Sequence, residues 1–238
     1  MKNQKVIWSD GTNVFVVSKS NTSNAKIAPD KKTKLIQTYT FSLDQYELAT
    51  TQKGFGMKKF FALDGSNCLD CPFSGNGGNG GCYTHKFNQY VGFLSMLRSI
   101  KPLDLTPLDE TKYRLILDLC HNTYVRFGTY GEPSLLPLEM VKSMALLSSS
   151  YTGYTHQYKK EWAKEFAKVF MASTHTQSEA DKAREIGFRS FIATTEGTEN
   201  AVSCPASKEA GFVTNCAKCG LCSGTEGKGK KDVKILIH

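Results

Sequence analysis

The sequence predicts an α/β protein in which strands and helices alternate around a parallel sheet. Three observations predict it. From Tyr124 to Thr194, short apolar runs alternate with segments of helical periodicity at about twenty residues per unit, the pattern of βα repeats. Polar or thiol residues follow the runs: Cys68 and Cys71, Thr129 to Glu132, Thr155-His156-Gln157, Ser173-Thr174-His175 and Thr194-Thr195-Glu196. Seven of the eight cysteines form two groups, one at each end of this repeating body. Units that wind in one hand give either an open doubly wound sheet or an incomplete (β/α) barrel, and in both the ligands collect at the C-terminal ends of the strands. Three parts are expected: a β-rich N-terminal extension over 1–57, the (β/α) body over 58–200, and a four-cysteine metal-binding tail with a final strand over 201–238.

Val6-Ile7-Trp8 and Val14 to Val17 flank Asp10-Gly11, a hairpin signal. Thr38 to Leu48 reads as a strand running into a helix start. Phe60 to Leu63 is a short apolar run, expected as the first strand of the body. Phe87, Tyr90, Val91, Leu94 and Leu97 share one helical face in a segment that ends before Lys101-Pro102. Leu108 to His121 is a second helix. Then follow strand Tyr124 to Gly128, helix Pro137 to Leu147, strand Tyr151 to Thr155, helix Tyr158 to Ala167, strand Val169 to Ser173, helix Gln177 to Ile186 and strand Arg189 to Thr194. Asp232 to Ile237 is a late strand, expected at a sheet edge. Trp162 and Phe166 stand at helical spacing and are expected in the core.

With 40% hydrophobic and 22% charged residues, the composition is that of an ordinary globular chain, and no apolar run approaches the length of a membrane span. The N-terminus lacks the features of a signal peptide, so the expected location is cytoplasmic, with no membrane partner. In that compartment clustered cysteines are metal ligands or redox centres rather than a disulfide framework. The net charge of +8 suits either a solvated surface or contact with a polyanion. No phosphate-binding loop, dinucleotide glycine fingerprint or Ser-His-Asp order is present.

Cys68, Cys71 and Cys82 lie in a loop containing five glycines, which lets the backbone fold back so that the three thiols meet. Three protein ligands leave a metal position open for substrate or cofactor, unless His85 or Cys120 closes the site as structural zinc. Cys120 itself sits in an apolar helical run and reads as a buried, inert thiol. In the tail, Cys216, Cys219 and Cys222 repeat every third residue and Cys204 completes four. That spacing suits a [4Fe-4S] cluster, with structural zinc on four thiolates as the alternative. Gly131-Glu132-Pro133 follows a strand: the glycine allows close backbone approach and the carboxylate can bind an amine. His156 and His175 follow successive strands and could face the same pocket as acid/base or substrate-contact groups. Arg126 points either into the body or outwards.

With these motifs the chain resembles radical S-adenosylmethionine (SAM) enzymes. The matching features are the three-cysteine loop ending in Cys82-Tyr83 and the Tyr130-Gly131-Glu132-Pro133 turn one unit later. The loop is CxxC, ten residues, then C, where that family has CxxxCxxC. The resemblance implies a partial (β/α) barrel, a [4Fe-4S] cluster on Cys68, Cys71 and Cys82, and SAM bound beside Gly131, Glu132 and Tyr83. From Lys59 onwards the chain also resembles a group of small cysteine-rich proteins encoded by bacteriophages. They share the Cys-Tyr loop end, strands like Val125-Arg126-Phe127 and Gly153-Tyr154-Thr155, and a closing Cys-Pro…Cys-x-x-Cys-Gly-Leu-Cys. This likeness implies a viral origin, a host-cell cytoplasm and a radical-enzyme-like scaffold, and supplies no reaction. Two functions follow as expectations. One is an iron-sulfur enzyme of radical SAM type acting on a small molecule, nucleotide or nucleic acid. The other is a non-catalytic zinc protein that binds nucleic acid or a host protein.

Overall fold

A computed structural model describes residues 4–22, 24, 26–27, 30, 32–195 and 200–236. Glu196 and Ile237, expected after the last βα strand and in the late strand, lie outside them. The N-terminal hairpin pairs β1 (Gln4–Ser9) with β2 (Asn13–Asn21) in antiparallel register, Ile7 opposite Val16. The Asp10 carboxylate accepts the main-chain N–H groups of Thr12 and Asn13, and Gly11 takes the left-handed conformation that the turn needs.

Next comes β3 (Lys34–Ser42), antiparallel to β2 on one side and parallel to a later strand on the other. The expected 1–57 extension therefore supplies a strand of the parallel array. Ser42 ends it and opens α1 (Leu43–Thr51) with a capping box: Ser42 Oγ accepts from Gln45 N–H, and Gln45 Oε1 accepts from Ser42 N–H.

Phe60 to Leu63 is not a strand. Its first two residues end the one-turn helix α2 (Met57–Phe61), followed by α3 (Gly65–Cys68). Four apolar residues carry too little periodicity to separate strand from helix. Here both phenylalanines sink into one aromatic cluster with Tyr90, Phe93 and Tyr130. The strand ahead of the thiol loop is β3.

The remaining elements follow the expected alternation: α4 (Phe87–Arg98), α5 (Glu110–Cys120), β4 (Val125–Tyr130), α6 (Leu138–Leu147), β5 (Tyr151–Thr152), β6 (Tyr154–Thr155), β7 (Met171–Thr174), α7 (Gln177–Glu185) and β8 (Ser190–Thr194). The segment expected as a helix from Tyr158 to Ala167 is two stretches of 3-10 helix, Gln157–Lys159 and Glu161–Lys168. Phe166 is buried there, whereas Trp162, expected in the core, is 52% exposed. After β8 come β9 (Ala201–Ser203), α8 (Cys216–Cys219) and β10 (Asp232–Leu236). The late strand β10 lies between β8 and β9, not at an edge. The strand that takes the edge, β9, is three residues long and too short to stand out in the sequence.

The strands form two five-stranded sheets, ordered β1-β2-β3-β4-β5 and β6-β7-β8-β10-β9. Every pair from β3 onwards is parallel. Only Gly153 separates β5 from β6, so the sheets meet along one chain segment. A Cβ at Gly153 would stand 2.4 Å from the Phe170 ring, and only glycine fits this junction. On the outer face, Val125, Phe127 and Ile36 pack with Ile116 and Cys120 of α5 and Met140 and Met144 of α6. Because side chains alternate along a strand, Arg126 projects from the opposite, inner face. The tail covers part of that face: Met171 packs with Cys204, Cys222 and Val233, flanked by Tyr154 and Phe191. Among the described residues no helix is long and apolar enough to cross a membrane.

Candidate metal centres and the inner face

The first thiol group follows β3 and α1 to α3. Cys68 ends α3, Cys71 lies one turn later, and Cys82 returns to hydrogen-bond its main-chain N–H to the carbonyl of Phe73. Asp64 organises the loop between them. Fully buried, it accepts main-chain N–H groups from Gly75 and Asn76 at 2.9 and 2.8 Å and lies 3.5 Å from His85 Nε2. The His85 ring stacks on Phe61 at 3.9 Å. His85 thus has a place beside Asp64, and Cys120 lies in the outer core. A Cβ at Gly75 would meet the carbonyl oxygen of Phe61 at 2.3 Å, so glycine is needed there for backbone contact.

The three thiols lie within electrostatic reach of one another. Burial pushes the Cys68 thiol far up, reinforced by Asp64, Cys71, Cys82 and Glu132. It pushes Cys71 up to about 11 and raises Cys82, whose sulfur stands 3.1 Å from the Thr84 hydroxyl. Burial and the neighbouring acids and thiols disfavour the Cys68 thiolate, against a single weak donor, the Asn67 amide at 3.7 Å. A bound cation would reverse that balance and allow the thiols to ionise together. Three thiols are a donor set of the kind that metals take, but among the described residues no three His, Cys, Asp or Glu side chains converge closely enough to hold a single ion.

The Gly-Glu-Pro turn joins this loop directly. Gly131 takes a φ of +77°, and a Cβ there would stand 2.5 Å from the Thr40 carbonyl oxygen at the end of β3. Glu132 donates its main-chain N–H to the Asn67 carbonyl at 2.7 Å. Its buried carboxylate accepts from Ser134 N–H and Oγ at 3.1 and 2.7 Å and from His156 N–H at 3.1 Å, with Thr155 also in hydrogen-bonding range. Burial raises its pKa despite these donors. The carboxylate thus ties the turn after β4 to the end of β6.

His156 and His175 come together as expected. Their rings stack at 5.9 Å, and both meet the edge or face of Phe73 from the thiol loop, at 6.3 and 4.7 Å. Neither buried Nε2 has a hydrogen-bond partner among the described residues. Burial, with His175 adding to it, lowers His156 to about 4. Tyr83 is 56% exposed, and its hydroxyl accepts a hydrogen bond from Arg126 at 2.7 Å. The Arg126 guanidinium also lies 5.8 Å from the centre of the Tyr83 ring.

In the tail, Cys216 and Cys222 sit near the starts of β3, β4 and β6. Cys216 packs with Ile27, Leu35 and Tyr124, and its main-chain N–H reaches the Lys26 carbonyl. Asn215 caps α8, and Gly220, left-handed at φ +66°, turns the chain from Cys219 towards Cys222. Cys204 follows β9, with its N–H on the Lys234 carbonyl. Burial raises Cys216 and pushes Cys222 to about 12; Tyr154 hydrogen-bonds Cys222, and the other three tail thiols act on it electrostatically. The two cysteine groups thus have different surroundings, the first beside Glu132 and the second around Cys222, with Cys216 by the starts of β3 and β4. Arg189 fixes the tail by donating to the carbonyls of Leu221, Ser223 and Lys231.

Asp64, Asn67, Gln45 and Arg189 do site-building work that the motifs did not point to. Gln45, fully buried, donates to the Tyr130 hydroxyl at 2.7 Å and to the Phe60 carbonyl. Position alone offered a signal for two of them, since Asn67 immediately precedes the first cysteine and Asp64 stands four residues before it. A groove of about 420 Å³ beside β10, lined by Thr195, Ser203, Ser207 and Lys234, includes none of the candidate residues. Comparison with protein-family models, curated proteins and solved structures finds no match for this chain.

Proposed function

We propose that the chain is an iron-sulfur protein of radical SAM type, built on a partial (β/α) barrel that runs from β3 to β9. One observation carries the reading. The thiol loop after the first parallel strand and the Gly-Glu-Pro turn after the second are joined by the hydrogen bond from Glu132 N–H to Asn67 C=O. Cys68, Cys71 and Cys82 would hold a [4Fe-4S] cluster with one iron free for SAM. Gly131 and Glu132 would border the cofactor's amino end, and Tyr83 its outer side. Cys204, Cys216, Cys219 and Cys222 would hold a second, fully ligated centre. When bound, the cluster and SAM supply radical chemistry. The protein's share is to bind and orient: Glu132 keeps the turn in register with β6, and His156 and His175 would turn two buried ring nitrogens, without partners among the described residues, to a substrate that reaches them.

A second reading is favoured by the saturation of the Glu132 carboxylate, whose internal donors leave it little capacity for a ligand amine. In that reading both thiol groups hold zinc, and the basic chain binds nucleic acid or a host protein without catalysis.

Metal and sulfide analysis of anaerobically purified protein separates the two. The radical SAM reading expects about eight irons with acid-labile sulfide, about half of them lost in Cys82→Ala and the other half in Cys219→Ala. It further expects reductant-dependent release of 5′-deoxyadenosine from SAM, abolished in Cys82→Ala. Zinc without iron, in protein made under iron-replete anaerobic conditions, would sink it.

A further inference from the structure

Arg126 occupies an unusual position. It is half-buried on the inner face of β4, opposite Gln37 of β3 and Thr152 of β5. Among the described residues no carboxylate lies within ion-pair distance of it. Its hydrogen-bond partner is the Tyr83 hydroxyl, and the phenols of Tyr124, Tyr154 and Tyr39 lie within electrostatic reach. A guanidinium has five N–H donors in a planar fork and stays charged, so this one leaves most of its donors without an anionic acceptor. A half-buried cation with no acid partner among the described residues is costly to keep, and the expected compensation is an anion that arrives with a ligand.

The placement says which ligand. Arg126 is four residues before Tyr130, but the strand bulges between them, and the two stand opposite Gln37 and Tyr39 of β3, an offset of about 7 Å along the strand at about 3.3 Å per residue. It lies on the side of the Gly-Glu-Pro turn towards the strand starts, beside Tyr83 of the first thiol loop, and its charge acts on Cys216 of the tail. A molecule reaching it would lie on the inner face beside the exposed ring of Tyr83. A planar donor fork matches a phosphate bidentately, and flat aromatic rings next to it suit a base.

We propose that Arg126 anchors the phosphate of a nucleotide-type small molecule bound on the inner face, with Tyr83 beside its base. This deepens the reading above by naming what the substrate carries. It is tested by equilibrium binding without reductant, which succeeds or fails independently of SAM cleavage.

The experiment titrates anaerobically purified, metal-loaded protein with inorganic phosphate, the four ribonucleoside 5′-monophosphates and the matching nucleosides. At least one monophosphate should bind, and its nucleoside should bind at least about tenfold more weakly. Arg126→Gln should weaken the monophosphate about tenfold or more, and Arg126→Lys, which keeps charge but loses the fork, several-fold. Tyr83→Ala, which removes the ring beside the base, should weaken the monophosphate and its nucleoside alike by a few-fold. Arg126→Lys also serves where the glutamine variant does not fold. Four results overturn the proposal: no binding of phosphate or any monophosphate; equal binding by wild type and both arginine variants; a loss confined to SAM, which would assign Arg126 to the cofactor's carboxylate; or loss of the tail metal in Arg126→Lys, which would make the guanidinium a counter-ion of the thiolate centre.

Discussion

The main-chain N–H of Glu132 meets the carbonyl of Asn67 at 2.7 Å, one residue before the first cysteine of the thiol loop. Two segments about 65 residues apart in sequence thereby become one surface at the ends of neighbouring parallel strands. Gly131 makes the contact possible, since its backbone lies where a side chain would strike Thr40.

Gly131→Ala should therefore be costly. A Cβ at φ +77° and 2.5 Å from a carbonyl oxygen adds backbone strain to overpacking, together about 2–4 kcal/mol. Denaturant unfolding measures the loss, and metal content should fall in parallel at the first group only. A variant as stable as wild type would mean that the turn and loop are not locked together.

Asp64→Ala should loosen the thiol loop without touching a cysteine. It strands the Gly75 and Asn76 N–H groups, at a cost of about 2–4 kcal/mol for two bonds to a buried carboxylate. Limited proteolysis should then cut between Gly75 and Gly81 in folded protein. Asp64→Asn, which keeps an acceptor, should lie between the two.

His156 gives an acid limb to stability. Burial, with His175 adding to it, holds its folded pKa at about 4, below the ordinary 6.5. The unfolded chain thus binds more protons between these values, so the contribution is complete above about pH 6.5 and is lost as the pH falls towards 4. In His156→Gln the stability difference between pH 7 and pH 4.5 should shrink by up to about 3 kcal/mol. Equal pH dependence in the two proteins would show that the imidazole does not titrate differently on folding.

Arg189→Met should release the tail. The side chain is 7% exposed and donates to three carbonyls of the tail, so its removal should cost about 3 kcal/mol. In metal-free protein, thiol labelling of Cys222 should accelerate, while labelling of Cys68 should stay slow. Unchanged Cys222 labelling would place the anchor elsewhere.

Much of the element order was legible because its signals are local. Apolar spacing marks α4 to α7, an Asp-Gly turn marks the β1-β2 hairpin, and glycine with cysteine marks both thiol loops. Tertiary packing decided the rest. Phe60 and Phe61 are helical because an aromatic cluster takes both side chains, a fact held by Tyr90, Phe93 and Tyr130 far along the chain. β3 joins the parallel array, and β10 lies inside its sheet, because backbone N–H and C=O groups seek partners that sequence spacing does not specify. The sequence alone determined which residues could ligate a metal and where the glycines had to stand. Only the folded chain decided that the seven thiols lie in two places, that the Glu132 carboxylate is taken up by Ser134 and the His156 backbone, and that Arg126 faces inwards without an acid partner among the described residues. Each of these depends on long-range contacts across the sheets, and no local pattern encodes them.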